Sequence, residues 1–253
     1  MNAKMKVLSL ALVGLCGYAG SALAVCPAGP TIAEGGAWTS KINLPDATSS
    51  PLAIATPGLD ASACKLTASL APSVAAAAVV RYANAASEPS YRFQFLVDTT
   101  ALSAYNATDS VVAFQAPATT VANGFNRLLR VSIVAGPAGA TRVRFVAQCG
   151  SGTFLCAQTY ATNLVAGVNR IEGNLQVGAG AAGSLKYWVN VAAGTTEPAV
   201  SGTIASLDNA AWGGVSAASL GLAAPSQTFA DTHANQLVGF DTFDSRRQTY
   251  IGY

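Results

Sequence analysis

Asp241 and Asp244 make the nearest approach to a carboxylate pair in this sequence. Two carboxylates can divide general-acid and general-base roles when both face one substrate. A spacing of three on a regular strand points them to opposite faces, so ion pairs with Arg246 or Arg247 are the expectation. His233 is the sole histidine, in the run Asp231-Thr232-His233-Ala234-Asn235. A serine triad built on it would need a strained nucleophile turn of the G-x-S-x-G kind, and the sequence has none. One histidine and widely spaced cysteines leave no zinc set. Asp98, Asp208 and Asn209 are oxygen donors, but no dense ligand run marks a calcium loop. No catalytic residue, metal ligand or cofactor is assigned.

Binding chemistry is better represented. In Leu185-Lys186-Tyr187-Trp188-Val189-Asn190 a strand would turn Leu185, Tyr187 and Val189 inward and Lys186, Trp188 and Asn190 to water. An exposed indole is a platform for a sugar ring, and arginines beside it would suit an acidic polysaccharide. Arg92, Arg130, Arg142, Arg144 and Arg170 alternate against apolar neighbours in the same way. The expected ligand-binding residues are therefore Trp188, Lys186, Asn190, Arg142 and Arg144, with Trp212 before Gly213-Gly214 as a second platform. The competing reading has a loop or an N-terminal strand cover Trp188, which then joins a secondary core. Trp212 is open to the same two readings.

These side chains must be positioned by strands. Arg170-Ile171-Glu172-Gly173-Asn174-Leu175-Gln176-Val177 alternates strictly between polar and apolar, the mark of a half-buried strand. Similar segments are Lys65–Leu70, Tyr91–Asp98, Val111–Ala116, Arg127–Val134, Arg142–Cys149, Phe154–Thr162, Leu185–Asn190 and Gln236–Phe243, with a further strand around Trp38–Leu44. Val79–Tyr82 also reads as a strand. About ten strands at turn-bounded spacing predict an all-β, two-sheet antiparallel β-sandwich with Greek-key or jelly-roll connections. The loop from Asp208 to Ser226 lacks alternation and is expected to carry a short helix at Ser216–Leu220. Residues 25–253 are expected to form one such domain.

The start of the chain reads as a secretory signal peptide over residues 1–24. Lys4 and Lys6 precede an apolar run from Val7 to Leu15, and Ala22-Leu23-Ala24 supplies the small-x-small cleavage pattern. Lipidation at Cys16 or Cys26 is disfavoured, because Leu15 and Val25 precede them. Removing the segment takes two lysines from 14 basic residues, leaving 14 − 2 = 12 against 12 acids. A neutral chain with 10% charged residues has no basic stripe for nucleic acid. No later apolar run reaches the ~20 residues of a membrane helix. The final Tyr250-Ile251-Gly252-Tyr253 could end an outer-membrane barrel, but the strands are too short for its lipid-facing band. Cys26, Cys64, Cys149 and Cys156 remain after cleavage. An even number in an exported chain predicts two disulfides, with proximity favouring Cys26–Cys64 and Cys149–Cys156. Secreted or periplasmic localisation follows.

Asn169-Arg170-Ile171-Glu172 followed by Gly183-Ser184-Leu185-Lys186-Tyr187-Trp188-Val189-Asn190 resembles consecutive late strands of the concanavalin A-like or laminin G-like jelly-roll superfamily. Gln236-Leu237-Val238-Gly239-Phe240-Asp241-Thr242-Phe243-Asp244-Ser245-Arg246-Arg247 resembles its closing strand. With Tyr91-Arg92-Phe93-Gln94-Phe95, it also resembles a group of secreted Gram-negative bacterial proteins ending in FD-x-F-[DE]-S-R-R. The resemblance covers about Tyr91 to Arg247 and implies a fold that hosts lectins, adhesion modules, polysaccharide-binding domains and some glycoside hydrolases. The laminarinase-like branch carries E-x-D-x-x-E, which this sequence lacks; Glu172 stands alone. The functional expectation is a non-catalytic module binding glycan or another extracellular surface. The alternatives are a structural or assembly protein of the cell envelope or of an extracellular assembly, and a hydrolase with an unrecognised site. The expected partner is a polysaccharide or cell-surface component, with no nucleic acid and no integral membrane segment.

Overall fold

Alternating side chains need a second apolar layer to cover them, and the computed structural model supplies it as two stacked sheets. It describes residues 25–43, 51–72, 77–102, 106–122, 125–150, 156–192, 194, 196–246 and 249–251, without the side chains of 85, 120–122, 125–126 and 156–160. The expected signal segment and Arg247 lie outside the described residues.

Among the described residues fourteen strands are formed: β1 (Ser40–Asn43), β2 (Leu52–Ala55), β3 (Lys65–Ala68), β4 (Ala78–Glu88), β5 (Ser90–Asp98), β6 (Ser110–Ala122), β7 (Phe125–Ala135), β8 (Thr141–Cys149), β9 (Cys156–Asn163), β10 (Val168–Gln176), β11 (Gly183–Val189), β12 (Gly202–Leu207), β13 (Val215–Ala223) and β14 (Val238–Arg246). One seven-stranded sheet has the order β1-β4-β13-β6-β7-β8-β9, here the β7 sheet. The other, the β10 sheet, has the order β12-β11-β10-β5-β14-β3-β2. Every strand pairing is antiparallel. The fold is the expected two-sheet β-sandwich.

Aromatic rings join the layers. Phe93 of β5 stacks on Phe114 of β6 with centroids 4.2 Å apart, and Phe145 of β8 on Tyr187 of β11 at 4.6 Å. Gly173 lies opposite Phe93 in the ladder. A Cβ at that position would meet the Phe93 ring at 2.5 Å, so only glycine lets the ring lie flat over β10.

The expected helix at Ser216–Leu220 is corrected to strand β13, flanked by β4 and β6. Val215, Leu220 and Leu222 are buried, but Ala217, Ala218 and Ser219 are buried too. A central strand of small residues with both sides covered has no alternation to read. The helix of this region is α1 (Gln227–Thr232), capped by Ser226 Oγ, which accepts from Phe229 N. Edge strands β2 and β12 were also unforeseen. Among the described residues no helix is long and apolar enough to cross a membrane.

The Cys26–Cys64 disulfide is present, tying the N-terminal segment to β3's leading turn. Cys149 is disulfide-bonded and stands opposite Cys156 in the β8–β9 ladder; the side chain of Cys156 lies outside the described residues.

Two bulges alter the face arithmetic. On β14 the register runs from Asp241 opposite Leu96 to Asp244 opposite Gln94, with Thr242 at φ 45°. The extra residue corrects the expectation of opposite faces: both aspartates share the face of Leu96 and Gln94. On β7 the register passes from Leu129 opposite Ala116 to Arg127 opposite Pro117. Arg127 and Arg130, also three apart, thus come to one face.

Candidate functional site

The outward face of the β7 sheet is built from β13, β6, β7 and β8. Inward, β7 and β8 bury Leu129, Val131, Ile133, Val143 and Phe145. Alternation therefore drives Arg130, Ser132, Arg142 and Arg144 outward, and the β7 bulge adds Arg127. The register fixes their places. Gln115 lies between Ser219 and Arg130, while Ser132 lies opposite Arg144 and Val134 opposite Arg142. Arg130 pairs with Val146, so Arg144 is its diagonal neighbour at roughly 7–8 Å between backbones. At the margin, Arg81 stands across Ser219.

All four arginines of β7 and β8 are half-buried. The Nε atoms of Arg130, Arg142 and Arg144 and the Oε1 of Gln115 are buried without a hydrogen-bond partner. Arg142 Nη2 donates to Ala161 O at 2.5 Å. No carboxylate among the described residues forms an ion pair with any of the four. Burial holds the Arg130 guanidinium below its usual range, and Arg127 and Arg144 push it the same way. Clustered cations with no counter-charge lose water on burial and gain no compensating partner from the described residues.

The sequence carried an unread signal for this face. From Ser110 to Ile171 there is no aspartate or glutamate, yet Arg127, Arg130, Arg142, Arg144 and Arg170 all fall there. Arg127 and Gln115 were missed because a bulge and a cross-strand register are invisible in a single chain.

The remaining expected ligands are elsewhere. Trp188, Lys186 and Asn190 belong to the outward side of the β10 sheet, so they share no surface with Arg142 and Arg144. The expectation of an exposed Trp188 platform is corrected: the ring is 2% exposed, and its Nε1 donates to Pro198 O at 3.1 Å. The segment around Pro198 covers it, which is the competing reading. Arg92 lies over the same ring at 4.4 Å and under Tyr250 at 4.9 Å, and ion-pairs with Glu172 at 2.5 Å and Glu197 at 2.9 Å. Lys186 is exposed. Asn190 serves a turn, its Oδ1 accepting from Arg170 N and its Nδ2 donating to Asn169 Oδ1. Trp212 is likewise corrected from platform to core, being 0% exposed with its Nε1 donating to Gly150 O.

The acid–base candidates have structural partners. Asp241 accepts from Leu59 N and Ser62 Oγ, and Asp244 accepts from Arg246. His233 is buried, with Nδ1 3.0 Å from Gln236 Oε1 and Nε2 3.5 Å from Asp109 Oδ2. Among the described residues no group of three or more His, Cys, Asp or Glu side chains could hold a metal ion.

The fold has close counterparts in solved structures. An endo-β-1,4-glucuronan lyase from the fungus Trichoderma reesei matches with a TM-score of 0.62 over 83% of this chain and 91% of its own, at 11% identity. The alginate lyase Aly36B, solved with an alginate trisaccharide, matches at 0.61 over 89% and 95%, at 13% identity. A PL-14 alginate lyase from Aplysia kurodai matches at 0.50 over 78% and 87%, at 9% identity. No protein-family model matches the sequence, and neither does any curated protein. These likenesses bear out the two-sheet jelly-roll β-sandwich. They overturn the expectation of a module without catalysis, since these three structures of like fold are lyases. That expectation rested on the missing E-x-D-x-x-E, which speaks against one hydrolase route only.

Proposed function

We propose that this protein is an exported, polysaccharide-processing β-sandwich whose substrate is a uronate polymer, held by its carboxylates on the arginine face of the β7 sheet. The observation that carries the reading is the uncompensated cluster of Arg127, Arg130, Arg142 and Arg144, with buried Nε donors lacking partners. A sugar carboxylate is planar and takes two parallel N–H donors from one guanidinium. Neighbouring strands lie about 4.8 Å apart, so successive carboxylates of a polyuronate can each meet a different arginine.

The same pairing prepares a β-elimination. Neutralising a uronate carboxylate acidifies the C–H beside it. Removal of that proton by a base forms a C=C bond as the glycosidic C–O bond at the next carbon breaks. The leaving oxygen keeps the bonding electrons and takes up a proton. Arg130 and Arg144 fit the neutralising role. The strands β6, β7, β8 and β13 hold no histidine, lysine or tyrosine, and no base is assigned. Two of the structures of like fold are a glucuronan lyase and an alginate lyase, and both polymers are polyuronates. Export agrees with the Cys26–Cys64 disulfide, a bond that persists in oxidising compartments.

The test is incubation with alginate, glucuronan and a neutral β-glucan, following ultraviolet absorbance of the unsaturated product and, separately, binding. A rise with a polyuronate, lost in Arg130→Ala, is expected. Equal binding to the neutral glucan, or no polyuronate binding at all, sinks the reading.

A further inference from the structure

A second concavity lies where the sandwich opens between β4 and β14. It encloses about 720 Å³, within the range of small-ligand sites, and the N-terminal segment carrying Trp38 forms its outer wall. Residues of β2, β3, β4, β5, β13 and β14 line it, and none comes from β7 or β8, which bear the arginine cluster, so it is a different site.

Three observations say what it is built for. Tyr82 lines it while 43% exposed, and the Trp38 ring stands beside it, seated on Phe243 at 4.9 Å. Aromatic faces at a polar opening suit the C–H side of a sugar ring. Thr242 Oγ1, from a lining residue, is buried with no hydrogen-bond partner, and Tyr91 Oη, buried as well, has only the Ser245 hydroxyl near it, outside good hydrogen-bond geometry. Buried hydroxyls left in that state are completed by a ligand or an ordered water. Burial pushes the Tyr91 phenol up to about 12; Ser245 works against the rise, and Glu88, Asp244 and Tyr82 add to it. The phenol thus stays a donor at any working pH. The third observation is charge. Asp244 is paired with Arg246, and Asp241 accepts from Leu59 N and Ser62 Oγ, so these charges are answered within the protein, unlike those of the arginine face.

We infer that this cleft binds an uncharged sugar unit, stacked on Tyr82 and Trp38 and hydrogen-bonded by the hydroxyls of Tyr91 and Thr242. The cleft offers a uronate no cluster of unpaired guanidinium groups, so the cleft and the arginine face take different sugars. The chain then engages a polymer, or a polymer mixture, through a neutral unit and an acidic one at separate places.

Trp38 provides the readout, because Trp188 and Trp212 are both buried. The side-chain N–H signal of Trp38 is followed by NMR during titration with cellobiose, maltose and laminaribiose, then with a uronate trisaccharide and with glucosamine. A neutral disaccharide should shift the signal saturably, and the uronate should not compete. Tyr82→Ala should weaken binding about tenfold, the scale of one lost stacking contact. Tyr91→Phe keeps the buried ring and removes only the hydroxyl, and it should weaken binding by about tenfold as well. The inference is overturned if no neutral disaccharide shifts Trp38, if uronate or glucosamine binds there more tightly, or if folded Tyr91→Phe binds like the wild type.

Discussion

Arg92 on the β10 sheet and Arg130 on the β7 sheet are the same residue on the same kind of strand, each turned away from the inter-sheet core. Arg92 has its charge answered through Nε and Nη1, although its Nη2 is buried without an acceptor. Its guanidinium lies between the rings of Trp188 and Tyr250, and Glu172 and Glu197 take its charge. Arg130 has Arg127 and Arg144 as charged neighbours, and its Nε meets no acceptor. A guanidinium enclosed by rings and carboxylates holds a covering segment in place. One left beside like charges holds nothing until an anion comes. Alternation put both outside the core; what separates architecture from function is the charge on the neighbouring strands.

The comparison breaks most readily at Arg92. Arg92→Ala strands Glu172, 4% exposed, without its partner. Leaving one member of a buried pair uncompensated costs about 3–5 kcal/mol, to be read by chemical denaturation. Polyuronate affinity of the folded fraction should not change. Wild-type stability together with lost polyuronate binding would exchange the roles of the two faces.

The second test is the double substitution Arg130→Ala with Arg144→Ala. It removes two bidentate partners for carboxylate and should lower polyuronate affinity about 10–100-fold. Stability should stay within about 0.5 kcal/mol, because these side chains have no native carboxylate to lose. The residual binding should also depend less steeply on salt. A large stability loss with affinity intact would make the cluster architectural after all.

The sandwich could be read in advance because its central strands differ so clearly between sides. Arg170–Gln176 and Tyr91–Asp98 pair residue by residue as their alternation implies. Strand β13 could not be read that way, since alanine and serine between two neighbours leave no contrast of sides. The arginines were legible as outward residues, but the sheet each belonged to was not. Strands β5, β10 and β11 share one layer and β7 and β8 the other, a fact of topology that no local pattern carries. Trp188 failed for a different reason. Its side of the strand was right, yet Pro198 and Arg92 cover it, and coverage by a distant segment leaves no periodic trace. Asp241 and Asp244 share a face only because of a bulge at a non-glycine residue of positive φ.

Glu197 sharpens the comparison at smaller scale. It is the exposed partner of Arg92, its side chain 46% accessible. Water and salt screen such a pair, so Glu197→Gln should cost less than about 1 kcal/mol. Glu172 remains to hold Arg92 in place. A loss as large as that of Arg92→Ala would mean that Glu197, not Glu172, anchors the segment over Trp188. Thermal unfolding of the two variants side by side decides this.

Lys186 gives the smallest effect and the strictest control. It is a cation, exposed on the outward side of the β10 sheet, directly opposite Asn174 in the ladder. If net positive charge were all that a polyuronate needed, Lys186→Ala would weaken binding as each arginine substitution does. It should instead change affinity by less than about twofold and stability by less than about 0.5 kcal/mol. A lone ammonium offers a point charge without the paired donors of a guanidinium, and it lacks like-charged neighbours that an anion would relieve. Titration of Lys186→Ala with the same polyuronate, at one fixed salt concentration, measures how much of the affinity belongs to the arrangement of arginines and how much to charge alone.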